Sequence, residues 1–82
     1  MVLCNPMVDI RRAVGDNIKF IRHKRDMTLD DLSILSGMSR TYIHDIELAK
    51  NAITVVRLEK IAKALKVKTS LLLEPGAYKT IE

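Results

Sequence analysis

The chain has 82 residues, enough for one small domain with a single hydrophobic core. Hydrophobic residues make up 48% of it and aromatic residues only 4%, so the core must be aliphatic, which favours helix packing over a β-sandwich. A formal net charge of +4 suits a polyanionic partner. The single cysteine, Cys4, excludes an internal disulfide, and no Cys/His group has zinc-ligand spacing, so an extracellular scaffold and a metal finger are both disfavoured.

The two ends of the chain are predicted to lie outside the folded part. Residues 1–8 lack the basic leader and the length of a signal peptide, so they are expected to form a flexible arm, and residues 77–82 a loose tail. No stretch approaches the roughly 18 apolar residues of a membrane span. We therefore expect one domain over residues 1–82, cytoplasmic and without membrane contact.

The first predicted helix runs from Asp9 to about Lys24. Apolar residues recur along it at spacings of four, four and three: Ile10, Val14, Ile18 and Ile21. Its other faces are strongly basic, and we interpret them mainly as a solvated surface with one or two phosphate contacts.

Two short helices joined at a glycine are predicted between Thr28 and Glu47. Each has an apolar stripe that is expected to be buried, made of Leu29, Leu32 and Leu35 in the first and Ile43 and Ile46 in the second. Thr28 and Asp31 can form a capping box, Gly37 can take the positive φ that closes the first helix, and Ser39 can cap the second. This pattern is typical of a helix–turn–helix.

Burial of that stripe leaves four side chains on the outside of the second helix: Arg40, Thr41, His44 and Asp45. A recognition helix enters the major groove with its N-terminal end first, so Arg40 would meet guanine edges, and we predict that all four read bases. The alternative is an ordinary solvent-facing helix. For Asp45 two interpretations stay open: it accepts from a cytosine amino group, or it pairs internally with Arg40, Arg57 or His44.

The segments around this helix are predicted to contact the DNA backbone. The capped N-terminus at Thr28 can rest on a phosphate, and Ser39 opens the second helix. The loop after Glu47 has no Gly or Pro, and its Lys50 and Asn51 are the expected phosphate contacts there.

Two more helices complete the chain. Thr54 can cap a fourth helix, whose apolar stripe is Leu58, Ile61, Ala62 and Leu65. A short fifth helix is predicted to start at Thr69 or Ser70 and to stop before Pro75. Its three consecutive leucines cannot all face one core, so at least one should meet a partner subunit: Leu71, Leu72 or Leu73.

From Ile18 through Leu73 the spacing resembles that of Cro/CI-type (XRE) helix–turn–helix repressors. The resemblance implies an all-α, five-helix, lambda-repressor-like DNA-binding domain. The stretch from Ser39 to Glu47 is especially similar to controller proteins of restriction–modification systems, which implies that Arg40 and Thr41 read bases while Tyr42 lies against the DNA backbone.

Three departures from the family pattern bear on DNA contact. Leu29 stands where many members carry a glutamine that touches phosphate. Ala49 and Ile53 replace a glycine and a proline that are often found after the motif. Asn51 and Ala52 differ from the basic pair of controller proteins, which implies either a lower DNA affinity or a contact carried by Lys50 instead.

Two functions of different classes follow. The first is a homodimeric, sequence-specific DNA-binding transcriptional regulator on a palindromic operator, because a short domain gains specificity by doubling. The second is an antitoxin-like protein-interaction module that also binds DNA, using residues 71–73 and the arm. An enzyme is disfavoured because Ser39, His44 and Asp45, although suitable for a nucleophile set, share one short helix. No cofactor, metal or small-molecule ligand is expected.

Arg22 and Glu47 are predicted to form a partly buried structural ion pair. Each directly follows a stripe residue, so each can lie at the edge of the same core. A carboxylate at a helix C-terminus is disfavoured by the helix dipole, and Arg22 can compensate it with two donors. The family resemblance implies the same pairing. The alternative is a surface pair that contributes little.

Overall fold

The computed structural model describes residues 9–76, which form five α-helices. These are α1 (Ile10–Lys24), α2 (Leu29–Ser36), α3 (Arg40–Glu47), α4 (Val55–Leu65) and α5 (Thr69–Leu73). Helix α1 packs against α3, α4 and α5, while α2 packs against α3 and α4. The predicted all-α, five-helix class is confirmed, whereas the predicted arm (1–8) and tail (77–82) lie outside the described residues. No helix within residues 9–76 combines the length and the apolar character needed to cross a membrane.

Four of the helices begin at a side chain whose oxygen accepts a hydrogen bond from a backbone N–H of the first turn: Asp9, Thr28, Ser39 and Thr54. These caps satisfy N–H groups that have no partner inside the helix. Asp31 completes the capping box of α2 by accepting from the Thr28 N–H at 2.9 Å. At α1 the Arg11 side chain also donates to the Asp9 carboxylate, which lowers the pKa of that group below its ordinary value.

The core is aliphatic and lies where the helices meet. Its most deeply buried apolar side chains are Ile18, Ile21, Leu32, Ile43, Ile46, Ile61, Leu65 and Leu72. Burial of a side chain of this size stabilises the fold by about 1.5–3 kcal/mol. The stripe predicted for α4 is confirmed, because all four of its residues are buried.

The stripe predicted for α2 is wrong at Leu35, which is 63% exposed. On a helix, Leu35 lies on the opposite flank of the buried Leu32 from Leu29 and Ser36. Ser36 takes the buried position instead, and its hydroxyl donates to the Leu32 carbonyl at 2.7 Å. The neighbouring Ile34 is exposed as well.

Two further predictions about apolar residues need correction. Ile10 was expected in the core, but it is 52% exposed because it lines an open cleft between α1, α4 and α5. Leu72 was one of three leucines of which at least one was expected at a dimer seam, but it is fully buried in the core of its own chain. Of the three leucines, Leu73 is exposed and Leu71 half-buried, so these two remain available to a partner.

A buried asparagine fixes α5 against α1. Asn17 is fully buried, and its Nδ2 donates to the carbonyls of Leu72 at 3.0 Å and Glu74 at 2.8 Å. These carbonyls lie at the C-terminal end of α5, where they lack partners within the helix. Sequence reasoning missed this contact, although a polar residue at the core-facing spacing between Val14 and Ile18 was a usable signal.

Candidate nucleic-acid interface

Helix α3 buries one face and exposes the other. Ile43 and Ile46 lie in the core. The predicted base-reading residues lie on the outer face, where three are exposed and Asp45 is partly exposed: Arg40, Thr41, His44 and Asp45. Arg40 is the first residue of the helix. A helix that presents its N-terminal end in this way can enter a major groove.

The turn between α2 and α3 sets the direction of this face. Gly37 ends α2 with φ of 75°, the positive value that was predicted. The Ser33 hydroxyl donates to the Met38 carbonyl, and the Met38 side chain packs against the core. Ser39 then caps α3 by accepting from the Tyr42 N–H at 3.1 Å. The turn is therefore fixed by both backbone conformation and side-chain contacts.

Arg40 is held only loosely before any ligand binds. Its Nε lies 3.3 Å from Asp30 Oδ1, and the two side chains are 65% and 73% exposed. An exposed pair of this kind contributes about 0–1 kcal/mol. The guanidinium group can therefore exchange Asp30 for a base edge with little loss.

Asp45 does not form the internal pair that was considered for it. Arg40 pairs with Asp30, and Arg57 contacts Tyr42. Among residues 9–76, no cation lies within ion-pair distance of the Asp45 carboxylate. The internal pairing is thus wrong for the described part of the chain, and the cytosine interpretation remains.

Arg22 and Glu47 lie together beneath the C-terminal end of α3. Arg22 Nε donates to Glu47 Oε2 at 2.7 Å, and Nη2 donates to Oε1 at 3.0 Å. Both residues are buried, with exposed fractions of 7% and 4%. Nη1 also donates to the Met27 carbonyl at 2.9 Å, so one guanidinium group links α1, α3 and the loop before α2. The pair has the bidentate geometry that was predicted, and it is more deeply buried than expected.

Gly15 allows α1 to approach the same end of α3. A Cβ atom at Gly15 would lie 2.5 Å from the carbonyl oxygen of Ile46 and 2.8 Å from that of Glu47. No real side chain tolerates such distances to backbone atoms. Sequence reasoning missed this contact. The available signal was a glycine inside a helical pattern, which weakens a helix unless packing requires it.

The loop after α3 keeps a tight path without glycine. Ala49 adopts φ of 61°, and the Lys50 N–H donates to the Asp45 carbonyl at 2.9 Å. A left-handed conformation costs an alanine about 1–2 kcal/mol, which a glycine would avoid. Lys50 and Asn51 then follow as exposed residues, as expected of phosphate contacts.

The remaining residues that were predicted to contact the DNA backbone lie at the starts of α2 and α3 and on the flank of α3. Thr28 and Ser39 are exposed at the N-terminal ends of these two helices. Tyr42 is half-buried, and its ring lies 5.2 Å from the Arg57 guanidinium carbon. Arg57 was considered only as a partner of Asp45, so its contact with Tyr42 was missed.

The residues considered for a nucleophile set lie at the cap and within the body of α3. In residues 9–76 no group of three or more His, Cys, Asp or Glu side chains could hold a metal ion. The Ser39 oxygen caps α3 and, within the same range, forms no hydrogen bond with His44. The nucleophile set considered from the sequence is therefore not assembled in this structure.

An apolar cleft lies on the side of the molecule that carries α5. It has a volume of 240 Å³, and its lining includes Ile10, Val14, Ile46, Ile53, Val55, Leu58 and Leu73. Val55 and Leu73 are also among the exposed large hydrophobic residues. Apolar surface of this kind often marks a contact with another protein chain.

Comparison with known proteins places this geometry in context. Residues 18–72 match the HTH_3 family model, described as helix-turn-helix. The control protein C.BamHI from Bacillus amyloliquefaciens is 36% identical over 67 residues, which cover 80% of this chain and 83% of that protein.

Two solved structures are similar in fold. The hypothetical transcription factor NHTF from Neisseria has a TM-score of 0.81 and 28% identity, with coverage of 88% of this chain and 83% of that one. The restriction-modification controller protein C.Esp1396I, solved as a tetramer in complex with its natural 35 base-pair operator, has a TM-score of 0.73 and 35% identity. That match covers 79% of this chain and 86% of the controller chain.

Proposed function

The chain belongs to the XRE-type helix–turn–helix family of DNA-binding transcriptional regulators, and we propose that it acts in the cytoplasm as a homodimer on a palindromic operator. Within the family, we propose that it is a controller protein of a restriction–modification system, without catalytic activity. The observation that carries the proposal is the exposed N-terminal end of α3, while the other end of that helix is anchored by Arg22 and Glu47.

Base reading is assigned to the outer face of α3. The Arg40 guanidinium can donate two hydrogen bonds to O6 and N7 of a guanine, the most frequent specific contact in the major groove. Thr41 follows at the same end of the helix, and His44 lies one turn further along. Asp45 can accept from the amino group of a cytosine, and its lack of a cation partner within residues 9–76 supports this role.

Backbone contacts fix the register of that helix on the duplex. The exposed N-terminal ends of α2 and α3, at Thr28 and Ser39, present polar groups suited to phosphate. The exposed Lys50 and Asn51 extend this set beyond the C-terminal end of α3. Tyr42, on the flank of α3, is the remaining member of this set of backbone contacts. Such contacts carry affinity and its salt dependence, but no sequence information.

Dimerisation is assigned to α5 and the neighbouring cleft. Leu73 and Val55 are exposed there, and Leu71 is half-buried. A second copy would cover this apolar surface and bring two recognition helices about 34 Å apart, which is one turn of B-DNA. The two half-sites of the operator would then be related by a two-fold axis.

A second candidate function is supported by α2. Ile34 and Leu35 are adjacent on α2 and are 79% and 63% exposed, so they form an apolar surface that a partner chain could cover. An antitoxin-like module would use such a surface to hold a protein partner while also binding DNA. A reading frame for a toxin beside the gene would favour this function, whereas one for a restriction enzyme would favour the controller.

Selection of binding sites from random DNA at defined salt tests the main proposal. We expect enrichment of two-fold symmetric sequences whose half-sites are one helical turn apart. Sedimentation at tens of micromolar protein should show a dimer. A monomer bound to enriched single half-sites would contradict the proposed homodimer and palindromic operator. No enrichment at all would contradict sequence-specific binding.

A further inference from the structure

Tyr42 of α3 and Arg57 of α4 contact each other at two points. The Arg57 guanidinium carbon lies 5.2 Å from the centroid of the Tyr42 ring, within the range of a cation–π interaction. Its Nη1 also donates to the Tyr42 hydroxyl oxygen at 3.4 Å. Stacking and hydrogen bonding together hold the guanidinium beside Tyr42, which lies two positions after Arg40 in α3.

The charge of Arg57 is not neutralised by this contact. Other arginines of residues 9–76 have anionic or carbonyl partners: Arg11 with Asp9, Arg12 with Asp16, Arg22 with Glu47, Arg40 with Asp30 and Arg25 with the Leu65 carbonyl. Within the same residues no carboxylate pairs with Arg57, and its partner is a neutral ring with a neutral hydroxyl. Arg57 therefore offers an oriented positive charge to an anion.

The position of Arg57 in α4 does not explain why a cation is found there. The residue lies in the first turn of α4, where its N–H donates to the Thr54 cap at 3.2 Å. A cation near a helix N-terminus is opposed by the helix dipole, and the first turn of α4 contains no acidic residue to offset it. The side chain instead reaches across to α3. Binding of an anion beside Tyr42 would explain why the Arg57 side chain extends from α4 towards α3.

We propose that Arg57 binds a DNA phosphate beside the recognition helix and that Tyr42 is its positioning residue. The inference rests on the proposed DNA-binding function and adds to it a contact that begins on α4. A guanidinium group stacked on a ring keeps most of its donors for phosphate, whereas one paired with a carboxylate must first give up that partner. Tyr42 directly follows Arg40 and Thr41 in α3, so the contact would help to fix the register of these two residues on the bases.

Salt-dependent DNA binding by Arg57 variants of the full chain tests the phosphate contact. The probes are the selected operator and a random duplex of equal length. Arg57→Gln should weaken binding to both duplexes by the same factor and reduce the slope of log K against log salt by about 0.9 per protomer. Arg57→Lys should keep the slope because it keeps the charge. An unchanged slope in Arg57→Gln would overturn the inference.

A double-mutant cycle tests the role of Tyr42. Tyr42→Leu removes both the ring and the hydroxyl, and it should weaken DNA binding more when Arg57 is present than in the Arg57→Gln background. Tyr42→Phe keeps the ring and should retain most of the affinity. Equal losses from Tyr42→Leu in both backgrounds would show that Tyr42 does not position Arg57. Thermal unfolding of each variant identifies any loss that comes from a damaged fold.

Arg40→Ala separates failure of this inference from failure of the proposed function. If Arg40→Ala reduces the preference for the operator while Arg57→Gln leaves the salt slope unchanged, DNA reading stands and only the Arg57 contact is wrong. If no duplex is enriched in selection and Arg40→Ala has no effect, the proposed function itself is wrong, and the Arg57 contact is lost with it.

Discussion

The two ends of α3 carry the same pair of chemical groups in opposite settings. At the C-terminal end Glu47 is buried and accepts two hydrogen bonds from Arg22, at 2.7 and 3.0 Å. At the N-terminal end Arg40 makes a single 3.3 Å contact with Asp30, and both side chains are mostly exposed. One end of the helix is thus anchored to α1, and the other is free to exchange partners.

Burial accounts for this difference. When a buried ion pair loses one member, the remaining charge is stranded in a poorly solvated site, so the pair is strongly interdependent. Water and salt screen an exposed pair, which can separate with little change in free energy. The same guanidinium–carboxylate chemistry therefore orients the helix at one end and, at the other, leaves Arg40 available for the base reading proposed for it.

The largest expected effect comes from breaking the anchored end. Arg22→Ala or Glu47→Ala should each lower the free energy of unfolding by about 3–5 kcal/mol, because each leaves the other charge buried without a partner. Urea unfolding followed by circular dichroism measures this loss. Arg12→Ala is the matched control, since its i,i+4 pair with Asp16 is exposed and should contribute about 0.3–0.5 kcal/mol.

The double variant sharpens the same comparison. Loss of both Arg22 and Glu47 should destabilise the chain by less than the sum of the single losses, because no charge is then stranded. Additive losses in this cycle would contradict the interpretation of the two residues as one buried unit.

Gly15→Ala should disturb the anchored end from α1. Helix propensity alone would make this change stabilising by about 0.8–1 kcal/mol. The added methyl group, however, would meet two backbone carbonyls of α3 at 2.5 and 2.8 Å. We expect a net loss of about 1–3 kcal/mol in urea unfolding, since α1 and α3 must move apart. A gain in stability would show that the close approach is not needed.

Ala49→Gly should relax the loop just past the anchored end. The residue has φ of 61°, which glycine adopts without strain. Relief of that strain, partly offset by the greater freedom of glycine in the unfolded chain, should raise the free energy of unfolding by up to about 1 kcal/mol. Ala52→Gly is the control in the same loop. It should lower stability slightly, because Ala52 has no positive φ to relieve. Similar losses from both changes would argue against strain at Ala49.

Features of the fold that depend on neighbours in sequence could be predicted. The caps at Thr28, Ser39 and Thr54 and the turn at Gly37 are set by residues within a few positions of one another. The pairing of Arg22 with Glu47 could be predicted too, since each residue comes directly after a buried stripe residue in the sequence.

Features that depend on the placement of whole helices could not be predicted. The sequence pattern predicted that Leu35 is buried and left Leu72 as a candidate for a dimer seam. Only the packing of α2 and α5 decides that Leu35 is exposed and Leu72 buried. Gly15 and Asn17 contact atoms about 30 and 55 residues away in the chain, so no local pattern specifies their partners.

The free end of α3 is tested most directly by the affinity of Arg40→Ala for the selected operator and for a random duplex, measured at the same salt. Lys50→Ala is the matched control, because Lys50 is an exposed cation just beyond the other end of the helix. Arg40→Ala should lose about 1–3 kcal/mol on the operator, relax the preference at one G·C pair and leave random binding nearly unchanged. Lys50→Ala should weaken both duplexes alike and reduce the salt slope by about one unit. Equal losses of Arg40→Ala on the two duplexes would show that Arg40 contacts only phosphate, and would contradict the assignment of base reading to this end of the helix.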